Sequence, residues 1–579
     1  MIEDRSGTGP RKDPRDYEFA LGTWTREIST ASPEAQAWFD FGLNWTYAYN
    51  HEEALACFRA ALEHDPDCAM AWWGIAYAGG PFYNRPWIRY SEREIAETLP
   101  LCHDAAVEAR RALDRAGNGK PGERALIEAV AARYRSRDES DPRILDRWHR
   151  EFTGEMRKVH AAFPHDPDIA ALYAEAAITC TPRQLWDLRT GEPKPDALTR
   201  EAVVVLETAL KEIERSGVPH PGILHIYIHL MEMSAFPERA LRAADMLRGL
   251  VADAGHIEHM SAHIDILCGD YAQAVEQNRR AVRADDKYLR FAGPYNFYTT
   301  ARCHNLHLLM YAAMFLGQYK TAIAAADRVC ETATPELVAS SPPFMASILD
   351  GYSSMRTHVR VRFGKWRELI EDQLPEAAGR TPMRVAMHYY GKGVAHAALG
   401  EIENAEAERE RFDDVFEAVP EDAVFLSNTV RDILRVGQAM LEGELEYRKR
   451  NYEAAFDALR LAVERDDNLN FTEPWAWMHP PRHALGALLV QQGRVDEAEA
   501  VYRADLGYTG DLARCSRHPD NVWALHGLLE CVTRNGESNE ARWLQQKLTV
   551  ALARTDLPIS ASCFCRTRQS PAGPGPPDS

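Results

Sequence analysis

The chain repeats itself at a spacing that few backbones can use. Trp38, Gly42, Trp45, Ala54, Phe58, Ala61 and Pro66 place large and small residues at fixed offsets, and Trp72 follows Trp38 by 34 residues. Apolar residues at helical spacing, closed by a breaker, describe two helices that meet through a close contact. A period of 34 residues means that each pair buries its open face only against the next pair, so the chain grows by stacking rather than around one core. At 579 residues, 45% hydrophobic and 26% charged, it is long enough for one extended array.

These offsets are those of a tetratricopeptide repeat, with Trp45 in the slot usually held by Tyr. Ala240, Ala274 and Ala322 fit the small residue early in a second helix. Gly269-Asp270-Tyr271 and Gly317-Gln318-Tyr319 fit the turn that opens one. Gly400/Ala405, Gly443/Ala455 and Gly486/Ala498 continue the series. The expectation is an all-α, tetratricopeptide-type α-solenoid, a right-handed superhelix of helix pairs enclosing a concave cavity, over residues 17–555. Residues 1–16 and 556–579, polar and rich in Gly, Pro and Ser, are expected as disordered tails.

Composition removes several classes of function. A net charge of −19 repels phosphate backbones, and no basic stripe interleaved with aromatics occurs, so no nucleic-acid partner is expected. No apolar run approaches the roughly 18 residues that span a bilayer, and no apolar segment follows the charged start, so no membrane partner and a cytoplasmic location are expected. The eleven cysteines include no CxxC pair; Cys563-Phe564-Cys565 is the only close pair. Metal ligation in this chain is therefore expected from nitrogen and oxygen.

Nitrogen is concentrated in one stretch. Seven of the 21 histidines fall between Leu224 and Leu308: His225, His229, His256, His259, His263, His304 and His307. His225, His229 and Glu232 stand at i, i+4, i+7, His259 and His263 at i, i+4, and His304 and His307 at i, i+3, so each set shares a helix face. Counted from the repeat alanines, all seven fall on inner positions of three units within residues 221–330. Twelve such positions hold about half a histidine by chance.

Imidazoles one turn apart can close on one metal ion. Nitrogen ligands suit copper, iron or zinc, and the scarcity of carboxylate and thiolate argues against calcium, magnesium and iron–sulfur clusters. Seven histidines exceed one tetrahedral zinc; two ions with about three ligands each use the set. The expectation is one or two transition-metal ions, copper first and iron or zinc next, in a metal-dependent oxidase or oxygenase acting on a small molecule. A zinc hydrolase with Glu232 or Glu175 as general base is the alternative on the same residues, although HExxH is absent. A third reading is a non-catalytic scaffold that holds a protein partner in its groove. His51, the aromatic insertion around Tyr295, and the segment carrying Trp477 and Arg482 are the substrate-side candidates.

Tyr49-Asn50-His51-Glu52-Glu53-Ala54, Cys68-Ala69-Met70-Ala71-Trp72-Trp73-Gly74, the HxxxHxxE of His225, His229 and Glu232, and the GHxxHMxxHI of Gly255 to Ile264 resemble a group of bacterial tetratricopeptide-repeat proteins. The resemblance runs over most of residues 35–535. Where that group carries Met-Pro before the counterpart of His263, this chain has Met260-Ser261-Ala262. The resemblance implies the repeat fold and the motif positions.

Overall fold

The computed structural model describes residues 13–117, 119–374, 381–510, 512–536 and 538–566. Its elements are α-helices in succession, and the only named strands among the described residues are Val424–Phe425 and Asn428–Thr429, paired as one antiparallel hairpin. The protein is all-α, built from helix pairs of the solenoid type.

The repeat residues make these pairs by contact. Phe58, on the helix His51–His64, lies between Gly42 on Pro33–Tyr47 and Gly74 on Ala69–Gly79. A Cβ at either glycine would stand 2.6 Å from the Phe58 ring, so only glycine lets the three helices close on one aromatic. Tyr502 repeats the arrangement between Gly486 and Gly527, where the added carbons would come to 2.5 and 2.2 Å. Caps set the helix starts: Ser32 accepts from Ala35 N–H ahead of Pro33, and Ser91 and Glu94 form a capping box.

The chain divides into two compact units. The first takes residues as far as Asp265, together with Glu276–Asn305 and Ser341–Met345; the second takes Ile266–Val275, Leu306–Ser340 and Ala346 onward. In the first, the pairs Pro33–Tyr47 with His51–His64 and Ala69–Gly79 with Glu92–Ala116 lead to Pro142–Ala162, Pro167–Thr179, Thr199–Ser216 and Pro221–Met231. In the second, four pairs follow one another: Pro382–Leu399 with Ile402–Ala418, Val430–Arg448 with Tyr452–Asp467, Pro481–Gln491 with Val495–Asp505, and Val522–Arg534 with Ser538–Leu552.

The turns at Gly269 and Gly317 have φ of 84° and 71°, which glycine adopts without a Cβ penalty, and helices begin at Tyr271 and Tyr319 as the sequence predicts. The termini differ from expectation where they are described. Pro14–Asp16 form a 3-10 turn capped by Asp13, and residues 1–12 lie outside the described residues. Residues 556–566, expected as the start of a tail, are fixed to the second unit: Asp556 accepts from Tyr319 N–H and Lys320 N–H, Ile559 and Ala561 are buried, and Arg566 pairs with Glu530. Residues 567–579 lie outside the described residues.

Candidate metal centre

The first unit gathers six of the seven histidines into two groups of three. His225, His229 and His256 bring one ring nitrogen each within 4.8 Å of one another, and His259, His263 and His304 do the same. Five of the rings are at most 1% exposed, and His304 is half-buried. The helix Pro221–Met231 supplies two, Gly255–Leu267 three, and Tyr298–Phe315 one.

Each group is oriented from outside. His225 Nδ1 lies 2.6 Å from the Tyr47 carbonyl, and His259 Nδ1 lies 3.2 Å from Asn278 Oδ1. Glu232 reaches both groups, with Oε1 at 2.9 Å from His229 Nδ1 and Oε2 at 2.5 Å from His263 Nδ1. A carbonyl or carboxylate oxygen only accepts, so Nδ1 carries the proton in all four rings and Nε2 is left as a lone pair. Those lone pairs converge. His259 Nε2 and His263 Nε2 face each other at 2.8 Å and His229 Nε2 is buried without a hydrogen-bond partner, while His225 Nε2 stands 3.1 Å from Nε2 of His256, whose own Nδ1 has no partner and so leaves its tautomer open. Two opposed lone pairs at this distance repel unless a positive charge lies between them.

Burial keeps the rings neutral. Loss of solvent holds His225 down to about 3 and His229, His256 and His259 well below the usual imidazole range, with neighbouring imidazoles reinforcing the effect. Tyr49 forms a wall on the first group. Its ring stacks on His256 at 5.4 Å and on His229 at 5.9 Å and meets His225 edge-on at 4.5 Å, its hydroxyl is buried without a partner, and its backbone takes the left-handed φ of 56°. A non-glycine residue persists there only where packing enforces it. Gly255 opens the second motif helix because a Cβ would fall 2.0 Å from Asp285 Oδ1; Asp285 in turn accepts from Tyr298 OH, which accepts from His256 N–H.

The remaining candidates lie elsewhere. His307 belongs to the second unit, where its Nε2 is 3.1 Å from Met478 Sδ and its ring packs on Tyr352 and Phe425. Of the seven histidines expected to hold one or two ions, the structure brings six into the two groups and places His307 in neither. Glu232 is not an unengaged base, since both its oxygens face imidazoles. Glu175 is buried in the first unit, accepts from Tyr77 OH through Oε2 and leaves Oε1 without a partner, and burial raises its carboxyl pKa. His51 is buried with Nδ1 2.8 Å from the Ala78 carbonyl and its ring 4.1 Å from Phe82, while Tyr295 is 64% exposed. Trp477 and Arg482 belong to the second unit: Trp477 is buried against His358 and Tyr390, and Asp467 binds Arg482 through both oxygens at 2.5 and 2.6 Å. The insertion after Ala292 is anchored, with Phe297 N–H donating to Glu52 at 3.0 Å and Arg85 over the Phe297 ring.

Sequence reasoning missed the Tyr47 carbonyl and Asn278. Neither carries a sequence signal, because a backbone oxygen has none and Asn278 is an ordinary polar residue of the helix Tyr271–Ala292.

No family model matches the chain, and no curated protein matches it. Among solved structures, a human IFIT1 dimer with m7Gppp-AAAA aligns with 12% identity and a TM-score of 0.30 over 90% of this chain and 91% of that one. A monomeric IFIT1 mutant with Gppp-AAAA aligns with 11% identity and a TM-score of 0.30 over 89% and 90%. Among the described residues no helix is long and apolar enough to cross a membrane.

Proposed function

We propose that the first unit is a transition-metal centre holding one ion in each histidine triad, His225/His229/His256 and His259/His263/His304, and that it serves an oxidase or oxygenase acting on a small molecule. The observation that carries this is the pair of opposed Nε2 lone pairs on His259 and His263, each fixed by an Nδ1 proton directed away. Ligand histidines donate their second nitrogen to a carboxylate or carbonyl in just this manner, which fixes the tautomer and raises the basicity of the ligand atom. The HxxxHxxE and GHxxHMxxHI motifs, similar to those of bacterial tetratricopeptide-repeat proteins, coincide with these residues.

An all-imidazole set without a bridging carboxylate suits copper better than a zinc pair. Bound copper would supply one-electron chemistry with dioxygen. The chain's own residues then do three things. Burial keeps the imidazoles neutral and available as donors, Glu232 orients one ring of each triad, and Tyr49 shields the first triad from water.

Elemental analysis of the purified protein, read with its optical and electron-spin spectra, tests this reading. Two copper ions per chain with oxygen uptake on phenolic or amine substrates support it. A colourless zinc protein with hydrolytic activity overturns the oxidase assignment and leaves the metal site standing. Protein that binds no copper, iron or zinc at stoichiometric concentration overturns both.

A further inference from the structure

The histidine centre makes no use of Cys563-Phe564-Cys565. The two cysteines are linked, with Cα atoms 5.3 Å apart, whereas the remaining described cysteines are free thiols. A link between residues two apart closes so short a loop that it constrains the unfolded chain far less than an ordinary disulfide does. Stapling is therefore a poor account of it.

Its surroundings suggest another. Both cysteines line a small pocket of the second unit, about 20 Å³ in volume, together with Met440, His479, Tyr390 and Arg362. Cys563 is half-buried and Cys565 is buried. Tyr390 OH lies 3.0 Å from His479 Nε2 and 3.8 Å from Met440 Sδ, and His479 Nδ1 lies 2.8 Å from His358 Nδ1. His358 Nε2 is buried and has no hydrogen-bond partner. The pocket wall thus carries a thioether, an imidazole and two sulfurs whose donor character depends on their oxidation state.

We propose that Cys563 and Cys565, once reduced, form with Met440 a site for a soft monovalent cation, copper(I). Thiolate and thioether sulfur select copper(I) over hard cations, and a disulfide sulfur is no such ligand. The step balances with a dithiol as reductant: it gives two electrons and two protons, the Cys563–Cys565 bond breaks to two thiols, and the dithiol closes to its own disulfide. Copper(I) then displaces the thiol protons. The Cys565 N–H, 3.2 Å from Cys563 Sγ, favours a charged sulfur there. Every ligand belongs to the second unit.

Anaerobic titration of full-length protein with copper(I) against bicinchoninate, with and without a phosphine reductant, is the test, read with X-ray absorption. The reduced protein is expected to take one copper(I) more than the oxidised protein and to show copper–sulfur scattering. Cys563→Ser, at a half-buried position, should lose that ion alone, and Met440→Leu should weaken it at least tenfold. The His229→Ala/His263→Ala protein should keep it. Equal uptake in both redox states, absence of sulfur scattering, or an extra ion retained by Cys563→Ser overturns the site; loss of the extra ion with the histidine pair assigns it to the histidine centre instead. Two additional free thiols in air-purified protein overturn the redox step.

Discussion

Both units bury clusters of histidine, and the clusters are wired in opposite ways. In the second unit Asp505 accepts from His483 Nε2 at 2.9 Å, from His518 Nδ1 at 2.9 Å and from Asn521 Nδ2 at 3.0 Å, while Arg362 donates to His483 Nδ1 at 2.8 Å. Asp505 thus gathers three donors, and the His518 ring stacks on Phe315. In the first unit the protons point outward to Tyr47, Glu232 and Asn278, and lone pairs are turned inward on each other. The burial of the histidines is alike in kind. The direction of the lone pairs separates a network closed around a carboxylate from one whose ring nitrogens face one another.

The largest effect expected from this contrast is on stability. Asp505→Ala leaves His483, His518 and Asn521 without their common acceptor in a fully buried place, and should cost about 3–5 kcal/mol with metal content unchanged. Denaturant unfolding followed by circular dichroism, beside elemental analysis, measures both; loss of metal with stability intact would erase the distinction between the clusters.

The second effect is the mirror image. His229→Ala together with His263→Ala removes a donor from each triad, so metal should fall from two ions per chain to near none while helical content is kept. Full metal content in that protein would place the ions elsewhere. A milder change, Glu232→Gln, keeps the side chain's shape and weakens its hold on His229 and His263. Affinity at both triads should fall together, about 10- to 100-fold, in competition with a chelator; a fall at one triad only would show that the carboxylate does not link them.

The smallest effect concerns pH. An exposed imidazole takes a proton near 6.5, and on sequence alone metal binding should weaken there. Burial holds folded His225 at about 3, so protons compete with metal only well below that point. Metal should stay bound through dialysis at pH 5. The sign for folding follows from the same depression: stability from the neutral ring is whole above the unfolded value near 6.5 and falls as pH drops from there toward about 3. Release of metal at pH 6 from protein that is still folded would contradict the burial argument.

Much of the fold was legible because its causes are local. Gly42, Phe58 and Gly74, or Gly486 and Tyr502, write the close approach of neighbouring helices directly into the repeat. The histidine spacing was legible for the same reason, since i, i+4 on a helix fixes a shared face whatever packs against it. Glu232 was visible as a residue but not in its role, which depends on His263 lying opposite, 31 positions further on.

The sequence by itself determined that this protein is helical, that its helices pair, and that nitrogen donors crowd three of them, because periodicity and side-chain size act over a few residues. Tertiary structure decided which donors meet. It parted His307 from His304 and set it against Met478, divided six histidines into two triads, and supplied Tyr47 and Asn278 to direct their protons. A tautomer is fixed by whatever oxygen packing brings to Nδ1, and no spacing along the chain encodes that neighbour.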